Sequence, residues 1–314
     1  MDRLSYVGRR LLQLIPVGFG CTLVVFFMVH LIPGDPARTM LGIRATEANV
    51  ERLHKEWGLD QPLINQYWDF LGRLAHGDLG TSLFYGLEVR QLIMDRVGPT
   101  LWLMGLAMLF AVLIAVPLAT LAATKKNGLR DQIIRFVPLF GLGMPAFWLG
   151  IILLLVFALN TGRHFPVGGY GHGFTGHLHS MILPALTIAV FLAPILIRSL
   201  RASLLDVLES DYITTARSKG IPERRVIIRH AVRNSVISMV TVLGLNMAYL
   251  VGGTVVVEKV FAIPGIGSLM LDAVFQRDFT VVQAVTLAFA ILVVLINLIT
   301  DIVHSLLDPR VRFD

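Results

Sequence analysis

Four histidines, His164, His172, His177 and His179, crowd the stretch 158–180, and imidazoles at that density are able to ligate nickel or zinc. That stretch holds no carboxylate or cysteine to complete a ligand set, so solvated loop histidines are the preferred reading. Phosphate chemistry finds no support: there is no G-x-x-x-x-G-K-[ST] run, and no Gly is followed directly by Lys, so a backbone cradle for nucleotide is missing. Gly80-Thr-Ser82 lacks the strand-to-helix setting of a nucleophile elbow and H-E-x-x-H is absent, which argues against an intramembrane protease. Asp301 and His304 lie at the inner end of the last apolar run, where water and snorkelling lower the cost of ionisable groups. What is left is a surface chemistry. Asp211-Tyr-Ile-Thr-Thr-Ala-Arg-Ser-Lys-Gly220-Ile-Pro, continuing to His230-Ala-Val-Arg-Asn234, is a polar and basic interruption between two long apolar segments.

Ser210 or Asp211 is a suitable helix cap, while Gly220 and Pro222 give a stop and an immediate restart. Leu205, Leu208, Tyr212, Thr215, Ala216 and Lys219 recur at spacings of three and four, which places them on one helical face with a small residue at Ala216. Such a face suits insertion of a helix into a groove of another protein.

The elements that must carry this stretch are membrane helices. The chain of 314 residues is 55% hydrophobic with a mean hydropathy of +0.72, too apolar for a soluble domain of its size. Uncharged runs at 11–29, 97–124, 136–162, 180–197, 234–257 and 279–300 each reach the roughly 18–20 residues that cross a bilayer as helix. Six spans are therefore expected. With the N-terminus inside, seventeen Lys and Arg fall on inner segments against three in the short outer loops, so both termini are expected in the cytoplasm. The net charge of +6 is explained by this distribution and does not require nucleic acid. The basic start and first apolar run lack a signal-peptidase exit, which predicts an uncleaved first helix, loosened by Pro16, Gly18 and Gly20. The single cysteine, Cys21, lies in mid-span and rules out disulfide-shaped loops. Residues 38–95 predict a polar helix near Glu47 to Trp57, an amphipathic one up to Ala75, and the loop Gly77-Asp-Leu-Gly-Thr-Ser82, too little for a ligand-binding lobe and read as a small cap. Lys125 to Arg130 predicts a tight inner hairpin, and Pro117, Pro138 and Pro145 with Gly141 and Gly143 predict broken helices beside a pathway.

Thr215-Ala216, Lys219-Gly220, His230 and Arg233-Asn234 resemble the cytoplasmic "EAA" signature of ABC-importer permeases. Ile32-Pro-Gly-Asp-Pro36, Gly58-Leu-Asp-Gln-Pro62, Gly77-Asp-Leu-Gly80 and Val257 to Gly267 extend the resemblance, over nearly the whole chain, to the dipeptide, oligopeptide and nickel group. Asp211-Tyr212 in place of the acid-alanine opening, and Ser238 where a proline is usual, are departures. The resemblance implies an all-α membrane protein of six transmembrane helices. Residues 1–95 would hold the first helix and outer segment, 96–306 a type I transmembrane domain with a coupling helix at 206–220 between helices four and five, and 307–314 a cytoplasmic tail. It further implies that Leu208, Tyr212, Thr215, Ala216, Arg217, Lys219 and Gly220 couple to a separate ATPase. The chain itself would hold no cofactor, ATP and Mg being bound by partner subunits. Implied partners are a second homologous permease, two ATP-binding subunits and an extracytoplasmic substrate-binding protein in the lipid of a bacterial inner membrane, with no nucleic acid. The implied cargo is a short peptide, with glutathione or a nickel complex as alternatives. An autonomous secondary transporter is the rival of another class; it calls for mid-span carboxylates or His and an inverted repeat, neither of which the six runs show.

Overall fold

A computed structural model describes residues 12, 15–27, 37–38, 45–82, 84–160 and 165–307. Its helices, in order, are α1 (Ile15–Phe27), α2 (Glu47–Trp57), α3 (Leu63–Ala75), α4 (Val89–Thr124), α5 (Leu129–Leu142), α6 (Ala146–Leu153), α7 (Gly173–Leu208), α8 (Asp211–Ser218), α9 (Arg233–Val260), α10 (Ile266–Gln276) and α11 (Phe279–Leu307). A π-helical segment, Leu154–Asn160, extends α6, and another, Val226–Val232, leads into α9. Among the described residues the only β pairing is an isolated bridge between Thr81 and Glu88. The architecture is all-α.

Two compact units are drawn from this chain, one from Met1–Gly98 and Ser268–Val294, the other from Pro99–Gly267 and Leu295–Asp314. In the first, Thr46 caps α2 and Gly58, at φ 67°, ends it, which delivers the chain to Pro62 and the start of α3. The amphipathic α3 turns Tyr67 inward, where its hydroxyl meets Thr22 Oγ1 at 2.9 Å and its ring sits among Phe19, Phe26 and Phe70. The Gly77 to Ser82 loop has a definite anchor: Asp278 accepts from the Ser82 hydroxyl at 2.6 Å and the Phe84 N–H at 3.1 Å, and also caps α11 through Val281 N–H. One carboxylate thus fastens a loop to a helix start.

In the second unit α7 is the central element, packed against α5, α6 and α9 and carrying the longest series of buried side chains. Ala107, Ala111, Ala115 and Ala119 of α4 are fully buried at intervals of four, a seam of small side chains along which neighbours approach closely. At the other end of α9, the buried Glu258 accepts from the Thr100 hydroxyl at 2.7 Å, and Thr100 Oγ1 accepts from Ile266 N–H at 2.9 Å. A Cβ at Gly265 would run into that carboxylate, which is why the turn after α9 requires glycine there.

One expectation changes. Neither Pro117 nor Pro138 breaks its helix: α4 runs unbroken through Pro99 and Pro117 and α5 through Pro138, since in a membrane bundle neighbouring helices and hydroxyl side chains are able to satisfy the freed carbonyls. The interruption falls at Pro145, as expected, which caps α6 in extended geometry. Among the described residues four helices are long and apolar enough to cross a membrane, Val89–Thr124, Gly173–Leu208, Glu223–Met247 and Phe279–Thr300, while Ile15–Phe27 and Ala146–Asn160 are shorter. The second, fourth, fifth and sixth apolar runs thus fall on the long helices, and the first and third on the shorter ones. The side chains of Asp301 and His304, His164, and the Ile32 to Pro36 motif lie outside the described residues.

Candidate coupling surface

α7 ends at Glu209, and the eight-residue α8 begins after Ser210. Ser210 adopts the extended backbone of a cap, but its hydroxyl donates back to the Val207 carbonyl and leaves the first N–H groups of α8 free of side-chain capping. Ile213 and Ala216 of α8 are buried with Val226, and Val207 and Ile221 pack on this small cluster. Asp211, Tyr212, Thr214, Thr215, Arg217, Ser218 and Lys219 point away from it into solvent.

The end of α8 is determined by three residues. Gly220 stands at φ 73°, its N–H donates to Arg217 O at 2.9 Å, and Ile221 N–H donates to Ala216 O at 3.3 Å, the pair of bonds of a Schellman stop. Pro222 follows and starts the next helical turn. Arg217 reaches across this stop and binds Glu223 with two hydrogen bonds, 3.1 Å and 2.8 Å, which raises the Arg217 pKa and holds the Glu223 carboxyl below its usual range. Asn234 donates to the Tyr212 hydroxyl at 2.8 Å and thereby ties α8 to the start of α9.

The structure brings the expected residues to one short element but not to one face. Tyr212, Thr215, Arg217 and Lys219 are outward, Leu208 is half-buried on the last turn of α7, and Ala216 faces inward with Ile213. Ala216 thus packs on Ile213 and Val226, on the side of α8 opposite its polar residues. The spacing argument assumed one helix from Leu205 to Lys219, whereas the break at Glu209 and Ser210 resets the rotation, so residues before and after it do not share a stripe.

Sequence reasoning missed the supports. Asp131, fully buried near the start of α5, accepts from Arg201 Nε and Nη2 of α7, each at 2.6 Å, and from Asn127 N–H at 3.0 Å. The Arg201 hydrogen bonds hold its carboxyl below the usual range, against the opposing effect of burial. Lys126 makes a second, exposed contact with Glu209 at 2.7 Å. A signal existed: Asp131 is the one acid among Lys125, Lys126, Arg130 and Arg135.

The histidine loop is folded by its own contacts. His177 stacks on Tyr170 with centroids 3.8 Å apart and its Nδ1 lies 2.9 Å from the Tyr170 carbonyl, while His179 packs against Phe165. Among the described residues no three His, Cys, Asp or Glu side chains gather as a metal site.

Comparison with known proteins gives the family. Residues 115–313 match the family model described as "Binding-protein-dependent transport system inner membrane component", and residues 3–104 match the N-terminal model of the same system. The chain is 41% identical over 310 residues to the glutathione transport system permease protein GsiC of Pectobacterium atrosepticum, covering 99% of each. It is 39% identical, with the same coverage, to the protein of that name in Escherichia coli strain K12. A solved structure of the inward-facing MetNI methionine ABC transporter shares the fold, with a TM-score of 0.58 at 17% identity over 69% of this chain and 97% of that one.

Proposed function

Because this chain belongs to the binding-protein-dependent transport system inner membrane component family, we propose that α8 is the surface through which a separate ATPase drives it. The chain is a multi-pass inner-membrane permease subunit of an ABC importer and works in a complex with ATPase and substrate-binding partners. The observation that carries the proposal is the division of α8 into a packed inner side, Ile213 and Ala216, and an outward polar side, Tyr212, Thr215, Arg217 and Lys219, with a fixed stop at Gly220. A short helix so held moves as one piece when pushed.

In mechanism, ATP closes a pair of ATPase subunits, each seating the short helix of one permease chain. The displacement passes into the helices and turns the bundle from inward- to outward-facing to accept cargo from the binding protein. This chain would then supply one half of the pathway, a second permease chain the other, and both termini of this one lie in the cytoplasm. We assign a short peptide as cargo, glutathione included, since curated relatives about 40% identical along their whole length carry that name. The test is purification of the complex with its binding protein, followed by a screen of glutathione, di- and oligopeptides and nickel complexes for stimulation of ATP hydrolysis. Stimulation by peptides or glutathione is expected; stimulation by nickel complexes alone would overturn the cargo assignment.

A further inference from the structure

We propose that Asp131 and Arg201 are a positioning pair that makes the hairpin between α4 and α5 move together with α8. The proposal rests on the reading of α8 as the ATPase seat. The Asp131 carboxylate does two things at once. Its Oδ2 accepts from Asn127 N–H, closing the hairpin around a residue held at φ 63°, and both its oxygens take the fork of Arg201, which grips α7. Its side chain is 0% exposed and that of Arg201 14%, so neither solvent nor salt screens the contact appreciably.

A second grip lies farther along. Lys126, in the same hairpin, binds Glu209, the residue that ends α7 and stands two positions before α8. Arg201 and Glu209 are about 12 Å apart along the α7 axis at roughly 1.5 Å per residue. Contacts at two such heights resist both rotation and tilt of the end of α7 against the hairpin. The outer pair is exposed and contributes little by itself, so the constraint resides mainly in the buried one.

A buried ion pair is poor evidence of net stabilisation, since an apolar pair of similar volume often does as well. What the bidentate fork adds is fixed orientation. The last two turns of α7 are therefore a lever with a defined joint to α4 and α5, and a push on α8 is carried through it.

The test uses the complete complex, with ATPase and binding protein, reconstituted in liposomes, with Cys21→Ser as background and glutathione or mixed di- and tripeptides as cargo probes. The readouts are ATPase retained on purification and cargo moved per ATP hydrolysed. Asp131→Asn and Arg201→Lys are expected to retain the ATPase, with cargo per ATP falling about tenfold in the first and several-fold in the second. Joining the two sites covalently, in Asp131→Cys/Arg201→Cys bridged by a short dithiol-reactive linker, is expected to recover most of that loss. A role in folding alone would not produce such recovery. Unchanged cargo per ATP in Asp131→Asn, no gain on bridging, or loss of assembly in both single variants would each overturn the proposal. A wild-type permease that retains no ATPase on purification would refute the function assigned to α8 itself, an outcome distinct from normal wild-type coupling retained in the variants.

Discussion

Gly220 and Ala216 sit four residues apart and fail in different ways when replaced. Gly220 is at φ 73° with no heavy atom near a prospective Cβ, so Gly220→Val strains the backbone without a clash, at a cost of about 1–2 kcal/mol, and misdirects the turn into Pro222. The variant should retain its ATPase yet lose cargo-stimulated hydrolysis, measured on the purified complex. Ala216 is packed with Ile213 and Val226, so Ala216→Glu puts an unpaired charge into a closed cluster, with a penalty of several kcal/mol. It should detach α8 from its support and abolish ATPase co-purification, whereas Thr215→Glu, on the exposed side, should leave the fold intact and act only on the contact. If Ala216→Glu co-purified with the ATPase as well as wild type, the packed inner side would have no role in seating. Asp131 sets the pH behaviour of the same region. The Arg201 hydrogen bonds hold its folded pKa below the ordinary carboxylate range, so its contribution is complete above that range and disappears as pH falls through the lower, folded value. Coupling measured from pH 5 to 8 should therefore show no step from this group, and a step removed by Asp131→Asn in that window would contradict the Arg201 pairing.

At the level of elements, the sequence disclosed what depends on local chemistry. α2 has the Glu47 to Trp57 limits the sequence predicts, closed by Thr46 and Gly58, and Gly220 with Pro222 ends α8 and restarts the chain as expected, since caps and stops are read from residues close together. Rotation was not legible across Glu209 and Ser210, because a two-residue break in a helix changes which side chains share a face without changing their spacing. Long-range partners were equally hidden: nothing local pairs Asp131 with Arg201, Ser82 with Asp278 or Thr100 with Glu258. The histidine loop shows a third case, in which residue type suggested ligation but His177 is occupied with Tyr170 and His179 with Phe165. Replacing His164, His172 and His179 by Ala, with His177 kept for its stacking, should leave peptide uptake within a few-fold at normal membrane abundance. Abolished uptake would transfer the loop to the transport path or to a metal.

For the whole molecule, the decisive property is which side of the membrane each polar segment occupies, and it follows from charge more than from packing. Seventeen Lys and Arg on the segments assigned inside, against three in the short loops assigned outside, favour one orientation, since basic residues near span ends are held on the cytoplasmic side. With that orientation α8 would stand where ATP is available, and α2 and α3 where a binding protein would arrive. Single cysteines test it directly in a Cys21→Ser background. Ser218, exposed near the end of α8, and Glu51, exposed on α2, both tolerate substitution because neither is buried. In intact cells an impermeant maleimide should label Glu51→Cys and spare Ser218→Cys, and permeabilising the inner membrane should make Ser218→Cys reactive as well. Labelling of Ser218→Cys from outside would place α8 on the wrong side for any ATPase, and the coupling function assigned to it would fall together with the orientation.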